Sequence, residues 1–248
     1  MILTVAFGKG GSCKTTTAQA LVNYCRMRGK SVLAIDCDPQ GNFTYCLGGN
    51  PSMRGLFDIL TGTASAEQVI QKTDQADLIA AGLNLAAAEQ AIMNKPGRDF
   101  ILREALKSIV QQYDYTVFDT APDLNVLLIN ALSASDTVLL PMQANSFAIM
   151  GLYQMRETIS QVQKYCNDRL TVSGILLTKY KPRQTLAADL RESIVQQAQD
   201  MGTRVFDTFI RESVVVEQAQ ALRKSLFEHA PQSNPAADYI ALFEEMHL

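Results

Sequence analysis

Short apolar runs alternate with longer amphipathic stretches along almost the whole chain. Residues 2–7, 32–35, 77–80, 115–118, 137–140, 172–177 and 205–210 form the apolar runs, rich in β-branched and aliphatic side chains. Short continuous runs of this kind suit strands buried on both faces. Between them, residues 15–28, 99–111, 125–134, 147–166, 185–201 and 235–246 carry a helical period. Residues 42–51 and 179–184 read as surface loops, and the pattern is least decisive from 48 to 73. The alternation predicts an α/β fold, a mostly parallel twisted sheet of about seven to eight strands with helices on both faces. Such sheets bind ligands beyond the C-terminal ends of their strands. No Pro/Ser-rich linker, repeat or low-complexity segment interrupts the sequence, so a single domain over residues 1–248 is expected.

Composition narrows the class. With 47% apolar residues the chain can bury a full core, and its mean hydropathy is zero. No apolar run approaches the roughly 18 residues that span a bilayer. The apolar start lacks basic residues and runs straight into glycines, unlike a signal peptide. The five cysteines (Cys13, Cys25, Cys37, Cys46 and Cys166) are odd in number and contain no CxxC pair. They argue against a disulfide framework or a zinc site and for a reducing, cytoplasmic setting. A net charge of −3 rules out a general nucleic-acid coat, so any DNA contact must use a local patch.

The chemistry lies in the first turn after the first run. Gly8-Lys9-Gly10-Gly11-Ser12-Cys13-Lys14-Thr15 follows an apolar strand and opens a helix, the context of a phosphate-binding loop. Backbone N–H groups of such a loop cradle phosphate oxygens, and the helix N-terminus adds its dipole. Lys14 would reach the β- and γ-phosphates of ATP, and Thr15 would place its hydroxyl on Mg²⁺. Cys13 stands where the general pattern has glycine. A Cβ there costs on the order of 1 kcal/mol if the backbone needs a positive φ. The adjacent lysine and helix N-terminus are expected to lower the Cys13 thiol pKa. Simple tolerance of a small side chain and redox control are the two readings. Lys9 is not required by an ordinary phosphate-binding loop; placed so early, it can reach a nucleotide held by a second subunit. That suggests a homodimer with two ATP molecules at its interface.

The loop resembles the deviant Walker A signature, KGGxxK[TS], of the ParA/MinD group of ATPases. Asp36-Cys37-Asp38-Pro39-Gln40-Gly41-Asn42 resembles the DxDPQGN segment of ParA-type partition proteins. Tyr115 to Pro122 resembles their Walker B and switch region, with Ala121 where proline is common. Further matches are Leu139 to Gln143 with Phe147, Ala148 and Gly151, then Gly174 to Tyr180, then Phe209-Ile210-Arg211 with Glu217-Gln218-Ala219. The resemblance implies a nucleotide-binding set of Gly8, Lys9, Gly10, Gly11, Ser12, Cys13, Lys14, Thr15, Thr16, Thr178 and Arg211. It implies catalytic roles for Lys9, Lys14 and Asp38, with Asp38 positioning the attacking water. It gives Thr15, Asp36 and Asp119 to the Mg²⁺ site, Asp119 through water and Asp36 also holding its loop. Phosphoryl transfer needs this combination of charge neutralisation and an oriented water.

The same resemblance implies a slow ATPase that dimerises with ATP, binds nonspecific DNA and is reset by a ParB-like, centromere-bound partner. A nucleoid-associated cytoplasmic protein without an N-terminal helix-turn-helix domain is then expected. Candidate DNA contacts are Lys179, Lys181, Arg183, Arg191, Arg204, Arg223 and Lys224, although acidic residues intersperse them. Three relatives of different function compete. A MinD-like protein would end in a basic amphipathic helix, whereas residues 239–248 are acidic and no membrane partner is expected. An electron-transfer relative needs cluster cysteines, and none occurs between Cys46 and Cys166. A cargo-positioning ATPase acting on a protein cluster without DNA is the remaining alternative.

Overall fold

The computed structural model describes residues 1–180 and 185–248. Among the described residues eight strands form one sheet: β1 (Ile2–Val5), β2 (Val32–Cys37), β3 (Ile70–Lys72), β4 (Asp77–Ile79), β5 (Tyr115–Thr120), β6 (Thr137–Gln143), β7 (Thr171–Thr178) and β8 (Val205–Ile210). Their order is β3-β4-β2-β5-β1-β6-β7-β8. Every neighbouring pair is parallel except β3 with β4. The expected mostly parallel sheet is therefore present, with one antiparallel edge strand that the sequence pattern does not reveal.

The helices are α1 (Lys14–Met27), α2 (Asn42–Cys46), α3 (Leu56–Thr61), α4 (Ala66–Val69), α5 (Ala88–Ile92), α6 (Ile101–Leu106), α7 (Val126–Ala134), α8 (Ser146–Tyr165), α9 (Thr185–Asp200), α10 (Val214–Ala221), α11 (Leu226–His229) and α12 (Asn234–Glu245). Successive strand residues serve opposite faces, as the pleat requires. Val32 and Ala34 of β2 pack with α1, α11 and α12, while Leu33 and Ile35 pack with α3 to α7. On the second face, Val138 and Leu140 of β6 join α8 and α9. Gly174 in β7 has a specific reason: a Cβ there would lie 2.4 Å from the Phe206 ring. Phe206 is itself 1% exposed, so the ring has little room to withdraw.

Two expectations need correction. Residues 42–46 form a helical turn rather than the start of a surface loop. Asp36 holds that turn by accepting from Thr44 N–H and Thr44 Oγ1, both at 2.7 Å. The helix expected over 99–111 is broken into α6, flanked by 3₁₀ turns at Arg98–Phe100 and Val110–Gln112.

This topology places β1 between β5 and β6, where the connections leave in opposite directions. The crevice at such a reversal lies beyond the C-terminal strand ends. The loop after β1 and the loop after β2 both emerge there.

Candidate functional site

The loop from Gly8 to Cys13 wraps back on itself through two left-handed residues, Gly11 (φ 74°) and Cys13 (φ 66°). The second is the strained position that a non-glycine residue was expected to carry. No side chain caps α1, and its first turn holds no acidic residue. Its leading N–H groups therefore face the cavity without an internal acceptor from a side chain. Gln143 Nε2 donates to the Gly11 carbonyl at 2.9 Å, and Thr178 Oγ1 donates to the Ser12 carbonyl at 3.3 Å. These two bonds fasten the loop to the ends of β6 and β7.

A cavity of about 500 Å³ is lined by the loop from Gly10 to Thr16 together with Asp38, Gln40, Asn42, Tyr45, Cys46, Pro122, Gln220 and Ala221. Lys14 is buried at its base, and its ammonium donates to the Lys9 carbonyl at 3.1 Å. Burial lowers the Lys14 pKa, while Asp119, Asp38 and Asp123 act to raise it. The ammonium rests on a neutral backbone carbonyl, which an anionic ligand would replace with a stronger, charge-assisted bond.

Thr15 Oγ1 donates to Asp119 Oδ2 at 2.7 Å. Asp119 Oδ1 is buried and has no hydrogen-bond partner, and Ser12 Oγ is in the same state. Unsatisfied buried acceptors are rare enough to need a reason. Burial pushes the Asp119 carboxyl well above the usual range, and the Asp36 charge adds to that. Asp36 is the register partner of Asp119 across β2 and β5, but its oxygens are engaged by Asp38 N–H, Thr44 N–H and Thr44 Oγ1. Asp38 lies at the cavity wall, with Oδ1 accepting from Gln40 N–H at 2.9 Å.

A second cavity of about 340 Å³ shares Gly11, Cys13, Thr16 and Gln220 with the first and continues to Lys179, Ile210, Arg211 and Val214. Gln220 Nε2 donates to Thr16 Oγ1 at 3.2 Å where the two meet. Arg211 is not free to swing: its guanidinium forks onto Asp238 through Nε and Nη2, at 3.1 and 2.6 Å to Oδ1. The Cys13 thiol departs from expectation. Burial raises its pKa, outweighing Thr178, Lys179 and Lys14, which act to lower it.

The basic residues are scattered. Arg191 pairs with Asp207 at 3.7 Å, and Arg204 donates to the Glu245 carbonyl while its guanidinium lies over Phe206. Arg223 lies over the Tyr45 ring, and Lys224 gives its carbonyl to Gln19. Lys179 lines the second cavity. Lys181 and Arg183 lie outside the described residues. Thr44, Tyr45, Asp123 and Gln220 are site residues that sequence reasoning missed. Only Asp123, directly after the Ala121-Pro122 switch, carried a local signal.

Among the described residues no group of three His, Cys, Asp or Glu forms a ready-made metal cage, and no helix is long and apolar enough to cross a membrane.

A protein-family model described as an AAA domain matches residues 1–172. The chain is 35% identical over 249 residues to the sporulation initiation inhibitor protein Soj of Bacillus subtilis, covering 99% of this chain and 97% of that protein. A plasmid partition protein of Borrelia burgdorferi, bound to AMPPNP, superposes with a TM-score of 0.81 at 27% identity, over 99% of this chain and 98% of its own. Cobyrinic acid a,c-diamide synthase of Mycobacterium smegmatis, with bound ADP and magnesium, gives 0.79 at 30% identity, over 94% and 96%. The near-complete coverage by Soj, together with the loop and paired carboxylates just described, assigns the family: the chain belongs to the ParA/Soj family of partition ATPases.

Proposed function

We propose that this chain is an ATP-dependent partition ATPase that dimerises around ATP, binds DNA without sequence preference and is reset by partner-stimulated hydrolysis. The observation that carries the reading is the pairing of Thr15 with Asp119 beside the buried Lys14 and the uncapped start of α1. ATP and Mg²⁺ fit this site. Mg²⁺ demands few protein ligands and is commonly held by one or two carboxylates, substrate phosphates and water. Thr15 and the unpartnered Oδ1 of Asp119 supply such a half-built shell. Asp36, with its oxygens engaged, holds the Asp38 loop.

Bound there, Mg²⁺ would neutralise charge on the phosphate oxygens. The chain's own residues do the rest. The loop N–H groups and Lys14 hold the phosphates, and Lys14 moves from the Lys9 carbonyl to a stronger, charged acceptor. Asp38 stands at the cavity wall to orient a water, and the Gln40 N–H fixes its carboxylate. Thr16 and Arg211, which line the second cavity, border the sugar and base, while the buried Thr178 supports the loop from behind. Lys9 serves the nucleotide across the dimer interface, so turnover stays slow until a ParB-like partner completes the site.

The test is a gel shift on nonspecific duplex DNA with ATP, ADP or no nucleotide. Partition predicts binding with ATP only, weakening steeply with salt. The engagement of Arg191, Arg204 and Arg223 with Asp207, Glu245 and Tyr45 favours a second reading, a cargo-positioning ATPase without DNA. Absence of a shift at low salt, with ATP bound, would select it.

A further inference from the structure

Tyr45 in α2 and Ala221 at the end of α10 are 176 residues apart, yet three ties join α2 to this helix end and the turn after it. Tyr45 Oη donates to the Ala221 carbonyl at 3.3 Å. The Arg223 guanidinium lies over the Tyr45 ring, 4.2 Å from its centroid. Beneath them, the Gln75 amide donates to the carbonyls of Cys46 at 2.8 Å and Arg223 at 3.0 Å. Gln75 is 9% exposed, whereas Tyr45 is 46% exposed, so the joint has a buried inner part and an outer part at the surface.

The outer part sits on the cavity. Tyr45 and Ala221 both line the phosphate cavity, one from the Asp38 side and one from the α10 side. A five-residue helix such as α2 has no stability of its own, so its position is set by what its ends and side chains touch. Its N-terminal side is fixed by Asp36 and Thr44, and its C-terminal carbonyl by Gln75. Movement of its Tyr45 side away from α10 must break the Oη bond and draw the ring from under the guanidinium.

Arg223 adopts φ 54°, a left-handed conformation that favours glycine. Its backbone is held by its N–H on the Gln220 carbonyl and by Gln75 on its own carbonyl, and neither bond needs its side chain. What the arginine side chain adds is the plane above Tyr45.

We propose that Tyr45 and Arg223 form a latch across the nucleotide cavity, positioning residues that hold the α2 wall against the α10 wall and slow nucleotide release. Gln75 is the inner hinge of this latch, and Tyr45 with Arg223 is its catch. The inference rests on the reading of this cavity as the nucleotide site.

The experiment is stopped-flow release of a fluorescent N-methylanthraniloyl ADP from the full chain and from Tyr45→Phe, Tyr45→Ala, Arg223→Gly and the Tyr45→Ala/Arg223→Gly pair. Tyr45→Ala and Arg223→Gly each release the nucleotide about two- to fivefold faster, the size of one exposed cation–π contact. The pair is no faster than the faster single variant, because both remove the same catch. Tyr45→Phe keeps the ring and recovers most of the parent's retention. Arg223→Gly also melts no lower than the parent, since it relieves the left-handed backbone; faster release without lost stability separates a latch from a general structural role. Release from Arg223→Gly at the parent's rate overturns the latch, as do effects that multiply in the pair. Arg223→Gly carries the test alone if Tyr45→Ala does not fold. A parent that fails to bind the probe overturns the nucleotide reading and the latch with it; a parent that binds, with unchanged rates in the variants, overturns the latch only.

Discussion

Asp36 and Asp119 stand opposite each other on the adjacent parallel strands β2 and β5, and both are fully buried. Burial lifts the Asp36 carboxyl to about 6 and the Asp119 carboxyl well above its usual range. A carboxyl raised in the folded state contributes stability that is complete below its unfolded pKa and is lost as pH rises through the folded one. Asp36 therefore withdraws stability between about pH 4 and 6, and Asp119 continues the loss at higher pH. Asp119→Asn cannot ionise, and its amide oxygen can still accept from Thr15. Without nucleotide and Mg²⁺, this variant should melt a few degrees above the parent at pH 8. The gap should close towards pH 4. With Mg²⁺ and ATP the order should reverse, since only the parent keeps a carboxylate for the cation. Thermal melts at both pH values check this, and a lower melting point for Asp119→Asn at pH 8 without ligand would refute it.

Much of this site was legible because its parts are close in sequence. The strand, the glycines, Lys14 and Thr15 lie within residues 2–15, and each reports the same structure independently. The Asp36–Asp119 relation depends on strand register between segments 83 residues apart, which pattern alone does not give. The α2 turn leaves no helical period in the sequence, because what holds it is Asp36, at a strand end, accepting from Thr44. The Cys13 thiol differs from the sequence expectation for a related reason: the neighbouring lysine is visible in sequence, but the burial that outweighs it is not. Tyr45 and Arg223 carry no motif, and only the fold brings them together.

Lys9→Ala should separate binding from assembly. In this chain Lys14 uses the Lys9 backbone carbonyl, which the substitution leaves in place. Calorimetry should give an ATP affinity within about threefold of the parent, under 1 kcal/mol. Sedimentation with ATP and Mg²⁺ should show a monomer where the parent is a dimer. A Lys9→Ala dimer of parental strength would remove the cross-subunit role from this residue.

Asp38→Ala should keep ATP and lose turnover. The carboxylate is fixed by Gln40 N–H beside the cavity, while the phosphate-holding groups belong to the loop and α1. Loss of a group that orients the nucleophile lowers the rate by roughly 10²–10⁴-fold. Phosphate release should fall by that factor, with ATP affinity little changed and the ATP-bound dimer accumulating. Hydrolysis at the parent's rate would exclude Asp38 from water positioning.

Cys13→Gly tests backbone strain and thiol chemistry together. Cys13 occupies φ 66°, two residues after Gly11 at φ 74°. Removing its Cβ should relieve about 1–2 kcal/mol of left-handed strain. Glycine's greater freedom in the unfolded chain returns roughly 0.5–1 kcal/mol of that. The net expectation is a melting point higher by about 2–4 °C. The thiol gives an independent readout. Only the thiolate reacts readily, and burial keeps this pKa above its ordinary value despite Lys14 and Lys179. Alkylation mapped by mass spectrometry should therefore be slower at Cys13 than at a free thiol at neutral pH and accelerate as pH rises. Peroxide at neutral pH should reduce ATPase activity no more in the parent than in Cys13→Gly. A parent inactivated selectively, with the variant spared, would establish Cys13 as a redox switch and overturn the reading that it is a tolerated small side chain.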